Sequence, residues 1–193
     1  MADIAVFASG TGTNFKAIHR DLTSDSRHRV SLLISDRKNS GALKFASENG
    51  IPAEFISYSN RSRQDAEQEI LKYLAGSDVR LIVLAGFMKL LSPLIINAYP
   101  DRIINIHPSL LPRHPGTRGI EQSWESGDDY LGISIHYVDE GMDTGRIILQ
   151  QAFHRSEVTS LEEAEKHIHQ LEHYWYPRTI RSLLDSHENE NGD

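Results

Sequence analysis

Cysteine is absent from the 193 residues of this chain. A chain without cysteine forms no disulfide framework, has no thiolate nucleophile and cannot bind a metal through sulfur. Candidate chemistry therefore has to come from histidine, carboxylate, amide and hydroxyl side chains. We expect no resident metal ion.

Long hydrophobic runs and an excess of positive charge are also lacking. The opening apolar run from Ile4 to Ala8 is too short for a signal-peptide core or a membrane span. The 20 basic residues are outnumbered by 27 acidic ones, and the net charge of -7 argues against nucleic acid as a general partner while leaving room for a local anion site. We expect a cytoplasmic protein with neither nucleic acid nor membrane as partner.

The remaining composition is that of an ordinary globular protein, with 39% hydrophobic and 24% charged residues. A chain of 193 residues is long enough to bury a substantial core. No repeat, linker or low-complexity segment marks a boundary. The sequence therefore predicts a single domain over residues 1–193.

Strands and helices alternate regularly through the first half of the chain. Apolar strands are predicted at residues 3–9, 30–35, 52–56 and 80–87, with helices at 15–22, 40–49, 60–75 and 93–98. The run at 80–87 is continuously apolar, as expected of a parallel strand that is covered on both faces. Repeated alternation indicates right-handed crossovers and an α/β fold with a doubly wound, mostly parallel sheet.

The second half predicts a different arrangement. Strands at residues 130–138 and 146–153, joined by the acidic turn 139–145, indicate an antiparallel C-terminal hairpin, and the first of these strands alternates as a half-exposed strand does. A long C-terminal helix follows over 161–184, which Pro177 should kink or restart. Residues 187–193 form a polar tail.

Polar chemistry ends the strand that begins at Arg102. Asn105 and His107 are two residues apart, so they should project together from the strand's carboxyl end, where open α/β sheets bind ligands. Pro108 cannot donate to a ladder, so strand pairing should stop there. An amide beside an imidazole suits the stabilisation of an oxyanion and the transfer of a proton. The alternative is that both side chains merely cap a turn.

A glycine-rich loop, from Gly10 to Asn14, separates the first strand from the first helix. Glycines let the backbone approach an anion, and the free N–H groups of a first helical turn attract one. The loop lacks the third glycine of the dinucleotide fingerprint and the lysine of a P-loop. The alternative is a tight turn in which Thr13 or Asn14 caps the helix.

Two weaker patterns leave alternatives open. Arg61 and Arg63 fall in the predicted first turn of a helix, where the dipole disfavours cations, so they are either solvated or close to an anion. His169, Glu172 and His173 share a helical face at a spacing that suits zinc. No other ligand cluster supports that site, and a solvated helix face is the simpler interpretation.

The segments Asn105–Pro112 and Asp143–Gly145 together resemble the folate-dependent formyltransferases. The similarity runs nearly end to end, and its other parts are the loop Ser9–Asn14, Ala85–Met88 with Ser92–Pro93, and Leu171–His173 before Tyr176–Pro177. The resemblance implies a Rossmann-like formyltransferase fold with a phosphate- and nucleotide-binding half at 1–100 and a catalytic, folate-binding half at 101–193.

The resemblance also implies an activity and its residues. A formyl group would pass from the cosubstrate 10-formyltetrahydrofolate to the amine of glycinamide ribonucleotide, in purine synthesis, without a metal and in a monomer or homodimer. The implied catalytic residues are Asn105, His107 and Asp143. The implied substrate-binding residues are Gly12, Thr13, Asn14 and Glu172. The implied folate-binding residues are Arg63, Met88, Lys89, Leu90, Leu91, Asn105, Asp139, Glu140, Gly141, Met142 and Asp143.

Formyl transfer to an amine passes through a tetrahedral oxyanion, which needs preorganised donors and a proton carrier. Asn105 supplies an amide N–H, and His107 carries a proton. Asp143 beside His107 would raise the pKa of the imidazole, whereas burial would lower it, and the sequence leaves the balance open.

Other functions share part of these patterns. Formyl-folate hydrolases and methionyl-tRNA formyltransferases have the same Asn-x-His pattern, but the first normally carries a regulatory lobe and the second a further domain and a basic surface. A non-catalytic nucleotide-binding module would explain the glycine loop. It would leave Asn105, His107 and Asp143 without a joint purpose.

Overall fold

The computed structural model describes residues 2–24 and 27–190. Its strands are β1 (Ala2–Phe7), β2 (His28–Ser35), β3 (Ala53–Phe55), β4 (Val79–Leu84), β5 (Ile103–His107), β6 (Tyr130–Tyr137) and β7 (Ile147–His154). Its helices are α1 (Thr13–Thr23), α2 (Gly41–Glu48), α3 (Arg63–Ala75), α4 (Pro93–Ala98), α5 (Gly119–Glu125) and α6 (Leu161–Glu190).

All seven described strands belong to one sheet of order β3-β2-β1-β4-β5-β6-β7. Strands β1 to β5 pair in parallel, whereas β6 pairs antiparallel with both β5 and β7. The doubly wound sheet, the antiparallel hairpin and the long C-terminal helix that the sequence predicts are confirmed.

Two apolar cores cover the faces of the sheet. Successive residues of a strand point to opposite faces, so in β1 Ile4 and Val6 contribute to one core while Ala5 and Phe7 contribute to the other. The first core contains buried side chains of α1, α2 and α6, and the second contains those of α3 and α4. This two-sided burial explains why the central strands are continuously apolar.

The chain changes direction across the sheet between β1 and β4. After β1 it winds outward through β2 and β3, and it then returns to place β4 on the other side of β1. The loops that leave these two strands are tied together, because the Ser9 N–H donates to the Gly86 carbonyl at 3.1 Å and the Met88 N–H donates to Ser9 Oγ at 2.8 Å. Such a switch point opens a crevice at the strands' carboxyl ends.

Residues 130–137 form the predicted strand β6, but the prediction that this strand is half-exposed is wrong. Ser134 and His136 are 0% and 2% exposed, because β6 lies inside the sheet between β5 and β7. The hydroxyl of Ser134 donates to the Ser109 carbonyl at 2.7 Å and accepts from the Leu111 N–H at 2.9 Å. The polar residues of this strand are therefore buried and hydrogen-bonded.

Helix α3 begins later than the sequence pattern predicts. Ser62 and Asp65 form a capping box, so the first helical residue is Arg63 and Arg61 lies outside the first turn. Arg61 Nη1 donates to Glu69 Oε2 at 2.5 Å. The helix dipole therefore gives no reason to expect an anion beside Arg61.

Helix α6 continues through Pro177 to Glu190, so the predicted end at residue 184 is wrong. Of the two effects predicted for Pro177, the restart is excluded and the kink stays a prediction. Packing of Ile168, Ile180 and Leu184 in the first core holds the helix together across the missing N–H. Of the predicted polar tail, residues 191–193 lie outside the described residues.

Tyr176 anchors α6 to the sheet. Its buried hydroxyl lies 2.9 Å from the Leu84 carbonyl oxygen of β4 and 3.2 Å from the Ile104 carbonyl oxygen of β5, and it donates to them. The two strands stop pairing at Leu84 and Asn105, so this hydroxyl bonds the backbone where they diverge. Glu172, one helical turn earlier, is thereby held over the crevice.

Candidate active site

A cavity of ≈ 400 Å³ fills the crevice at the carboxyl ends of β1, β4 and β5. It brings together most of the predicted site residues, from both halves of the chain. Those that line it are Gly12, Thr13, Asn14, Met88, Lys89, Leu90, Leu91, Asn105, His107, Asp139, Gly141, Met142, Asp143 and Glu172.

Arg63 and Glu140 were predicted to line the folate pocket, but they are not among the described residues on this cavity's wall. Both side chains are exposed. The capping box starts α3 with Arg63 as its first residue, which leaves its side chain at the surface. A contact between either residue and the tail of a folate stays a prediction.

The glycine loop presents an uncapped helix to the cavity. Gly12 is the N-cap of α1, with a left-handed φ of 74°, and within the described part of the chain no side chain caps this helix. The interpretation of Thr13 or Asn14 as a cap is therefore wrong. A Cβ atom on Gly12 would lie 3.0 Å from Ala42 Cα, so glycine is needed for space as well as for conformation. Free N–H groups of the first turn can hold an anion here.

Asn105, His107 and Asp143 converge on the cavity, although they come from β5 and from the loop after β6. Asn105 Nδ2 is 3.5 Å from Asp143 Oδ1, and His107 Nδ1 is 3.4 Å from Asp143 Oδ2. The amide donor at 3.5 Å is held only weakly, so a stronger acceptor such as an oxyanion can replace the carboxylate.

The surroundings of His107 define its tautomer. Its Nε2 lies 2.7 Å from the carbonyl oxygen of His114. A carbonyl only accepts, so Nε2 carries a hydrogen and Nδ1 is the atom that gains or loses a proton beside Asp143. Burial lowers the pKa of His107 below its usual value, against the opposing effects of the His114 carbonyl and the Asp143 charge. The balance that the sequence left open is thus decided by burial, and His107 is neutral at pH 7.

Asp143 remains charged. Burial alone would raise its pKa, but the hydrogen bonds with His136 and with the backbone N–H of Gly116 lower it. The Gly116 N–H donates to Oδ2 at 2.8 Å. Asp143 has a left-handed φ of 56°, which is uncommon for residues other than glycine. This backbone conformation directs the carboxylate toward the cavity.

His136 is a site residue that the sequence reasoning missed. Its Nε2 lies 3.3 Å from Asn105 Nδ2 and 3.6 Å from Asp143 Oδ1. Its Nδ1 is 2.8 Å from the Tyr137 carbonyl oxygen, so Nδ1 carries a hydrogen. Nε2 accepts from the Asn105 amide when the ring is neutral and donates to Asp143 when the ring is charged. Antiparallel register places His136 opposite Asn105. Only that pairing could have identified it.

Glu172 closes the end of the cavity near the glycine loop. Its Oε2 accepts from Asn14 Nδ2 at 3.2 Å and from His169 Nδ1 at 2.8 Å. The hydrogen bond to Glu172 raises the pKa of His169. Asn14 Oδ1 is buried without a hydrogen-bond partner, which is typical of a site that awaits a donor from a ligand.

Apolar side chains form the opposite rim. Met88, Leu90 and Met142 are 60%, 41% and 56% exposed and line the cavity mouth. Large apolar side chains at this exposure are costly unless something covers them, so this rim favours a flat, partly aromatic ligand. Leu91, by contrast, is buried beneath it.

Among the side chains that the structure describes, those of residues 2–24 and 27–186, no group of three or more His, Cys, Asp or Glu is arranged to hold a metal ion, and this applies to the helical set His169, Glu172 and His173. None of the helices described has the length and apolar character needed to cross a bilayer.

The sequence profile of the formyl transferase family matches residues 2–180, so the chain belongs to the formyl transferase family. Phosphoribosylglycinamide formyltransferase of Bacillus subtilis (strain 168) is 44% identical over 188 residues, with 95% of each chain covered. The trifunctional purine biosynthetic protein adenosine-3 of Drosophila melanogaster is 37% identical, and the match covers 94% of this chain but 14% of that protein. The crystal structure of phosphoribosylglycinamide formyltransferase from Bacillus halodurans superposes with a TM-score of 0.92 at 38% identity and covers 99% of this chain and 100% of that one.

Proposed function

We propose that this protein transfers the formyl group of 10-formyltetrahydrofolate to the amine of glycinamide ribonucleotide, a step of purine synthesis. The observation that carries the proposal is the convergence of Asn105, His107 and Asp143 on one cavity, between an uncapped helix start and an apolar rim. The names of the full-length relatives support formyl transfer to this ribonucleotide.

The ribonucleotide binds at the end of the cavity near the glycine loop. Its phosphate accepts from the N–H groups of Gly12, Thr13 and Asn14, where the helix dipole favours negative charge. Its ribose hydroxyls donate to Asn14 Oδ1, which is buried and unpaired, and to Glu172. The glycinamide amine then extends toward His107.

The formyl folate binds at the other end. Its ring system covers the apolar rim of Met88, Leu90 and Met142, and the backbone of Asp139 and Gly141 closes over it. The glutamate tail extends outward past Lys89, whose side chain is partly exposed. Contacts to Arg63 and Glu140 from this tail belong to the proposal.

Chemistry begins when the amine nitrogen attacks the formyl carbon. A C–N bond forms, the carbonyl oxygen becomes an oxyanion, and this oxyanion replaces Asp143 as the acceptor of the Asn105 amide hydrogen. Preorganised donors of this kind are worth about 10²–10³-fold in turnover. Collapse of the intermediate breaks the bond between the formyl carbon and the folate nitrogen.

His107 moves the proton between the two nitrogens. The neutral ring accepts a proton at Nδ1 from the attacking nitrogen, and Asp143 at 3.4 Å stabilises the resulting imidazolium. The same proton then passes to the departing folate nitrogen, which leaves His107 neutral again. The step requires no metal and no covalent enzyme intermediate.

Turnover of 10-formyltetrahydrofolate with and without glycinamide ribonucleotide tests the proposal. We expect release of tetrahydrofolate only when the amine is present, in equal amount with formylated product. Hydrolysis without the amine would favour a formyl-folate hydrolase, and binding without turnover would favour a nucleotide-binding module. The cytoplasmic location and the monomer or homodimer remain parts of this proposal, and gel filtration tests the latter.

A further inference from the structure

One short loop, residues 113–116, contacts both ends of the proton-transfer pair. The carbonyl of His114 accepts the His107 Nε2 hydrogen at 2.7 Å, and the Gly116 N–H donates to Asp143 Oδ2 at 2.8 Å. His114 adopts a left-handed φ of 53°, which is unfavourable for a residue with a side chain. Something must therefore hold this loop in place.

Asp128, in the turn between α5 and β6, is the anchor. It is 7% exposed, and it does not line the cavity. Its Oδ2 lies 2.8 Å from His114 Nε2, while its Oδ1 accepts from Arg113 Nη2 at 2.5 Å and from Ser126 Oγ at 2.9 Å. Both carboxylate oxygens are thus used to fix the loop from its outer side.

We propose that Asp128 is a positioning residue for formyl transfer: by anchoring the side chain of His114, it holds the His114 carbonyl on His107 Nε2 and so keeps the proton-transfer atom Nδ1 facing the cavity. The inference rests on the proposed function, because it assigns a role within the same site. Asp128 contacts neither substrate and acts through the loop.

The charged and titratable groups near His107 leave the Nε2 side of its ring to the His114 carbonyl. Asp143 and His136 lie on the Nδ1 side of the site, and Glu172 acts from α6 at longer range. Among the described residues, the His114 carbonyl is the group that accepts a hydrogen bond from Nε2. If this carbonyl withdraws, no acceptor holds the hydrogen on Nε2, and the Asp143 carboxylate beside Nδ1 favours the other tautomer, which becomes populated.

Asp128 is equipped to remain a carboxylate. Burial alone would raise its pKa, but hydrogen bonds from His114 and Ser126 and the charge of Arg113 lower it. An acceptor with two charged oxygens can serve three donors at once. The anchor therefore persists throughout the neutral pH range.

The test compares Asp128→Ala with Asp129→Ala. Asp129 is the exposed neighbour, and its substitution removes the same charge while keeping its backbone carbonyl, which accepts from Arg155. We expect Asp128→Ala to lower kcat roughly 10–100-fold, as misplacement of a catalytic group does. The KM values of both substrates stay near those of the wild type, and Asp129→Ala retains full activity. Equal activity of the two variants would overturn the inference.

A second variant serves if Asp128→Ala folds poorly. His114→Gly keeps the left-handed backbone and the carbonyl but removes the anchored side chain, so it should lose a similar factor in kcat. The double variant Asp128→Ala/His114→Gly should lose little more turnover than either single variant, since both substitutions break the same hydrogen bond between Asp128 and His114. Asp128→Asn, which can still bond His114, should recover part of the activity. Losses that multiply in the double variant would contradict a shared link.

A readout without substrates separates this inference from the proposed function. Nitrogen-15 NMR of the ligand-free protein should show neutral His107 with its hydrogen on Nε2, and a mixture of both tautomers in Asp128→Ala and His114→Gly. The pKa of His107 should also fall in both variants, because the lost hydrogen bond raises it. An unchanged tautomer overturns the inference even if formyl transfer is established, whereas a wild type without formyl transfer refutes the proposed function alone.

Discussion

Asp143 accepts from the amide of Asn105 and from the backbone of Gly116, and it lies beside the unprotonated Nδ1 of His107. Its carboxylate opposes the effect of burial on His107, so its charge and its shape have separable roles. Replacing it with asparagine keeps the shape and removes the charge.

We expect Asp143→Asn to lower turnover on the order of 10²-fold, the scale of a general acid–base contribution. The pH profile of the wild type should fall on the acid side with a midpoint below 6.5, because neutral His107 is the active form and its pKa is lowered. The variant removes a charge that raises this pKa, so its acid limb moves to still lower pH. A lower maximal rate without a shift of the acid limb would mean that Asp143 only positions substrate or water. Full activity of the variant would refute the joint catalytic role of Asn105, His107 and Asp143.

Gly12 and Gly10 offer a matched pair in the glycine loop. Gly12 has a φ of 74° and a crowded Cβ position, whereas a Cβ on Gly10 meets nothing within 4 Å. We expect Gly12→Ala to lower the free energy of unfolding by about 1–2 kcal/mol, the cost of a left-handed residue with a side chain. Gly10→Ala should change it little. Urea denaturation measures both, and equal effects would contradict the strain argument.

Sequence reasoning reached some of these residues and not others, for a physical reason. Asn105 and His107 share a strand face by period two, so their convergence is a local property of the chain. His136 becomes a neighbour only through the pairing of β5 with β6, and the pKa of His107 depends on how deeply the finished fold buries it. Both properties belong to contacts that no local pattern encodes.

At the scale of elements, the attachment of α6 decides where Glu172 lies. Tyr176 donates into the gap between β4 and β5, one helical turn from that carboxylate. The helix also passes Pro177 without restarting, which the proline rule alone did not predict. Long-range packing on both sides of the proline outweighs one missing hydrogen bond.

Tyr176→Phe should lower the free energy of unfolding by about 1–3 kcal/mol, because two buried carbonyls lose their donor. It should also weaken binding of the ribonucleotide, since Glu172 loses its support. The control is Tyr174→Phe, whose side chain is 50% exposed and keeps its ring against Arg178. Thermal unfolding in parallel checks the pair, and two equal losses would remove the case for an anchor.

At the scale of the whole molecule, the cavity lies where the order of the described strands changes direction. The doubly wound, mostly parallel sheet follows from alternation and from crossover handedness, and for that reason it was open to prediction. The burial of β6 could not be predicted in the same way. Alternation in the sequence gives the period of a strand, but it does not reveal what covers the second face of that strand.

A phosphate ester that binds only the folded protein should stabilise all of it. Ribose 5-phosphate at 100 times its dissociation constant adds about 2.7 kcal/mol to the free energy of unfolding and raises the Tm. Ribose without the phosphate should raise it much less, and Gly12→Ala should reduce the effect. An equal rise with ribose would place the binding energy outside the glycine loop.

The short pairing between β4 and β5 marks a position at which the chain can be divided. The two strands meet in three register pairs, and the exposed turn at Asp101, with a left-handed φ of 54°, joins the halves beside it. The glycine loop, Met88 and Leu90 lie before this turn, while His107, Met142 and Glu172 lie after it. A chain cut at Asp101 would thus yield two fragments that are each chemically silent. Their recovered turnover would report on reassembly, which makes this protein a natural candidate for a split reporter of molecular association.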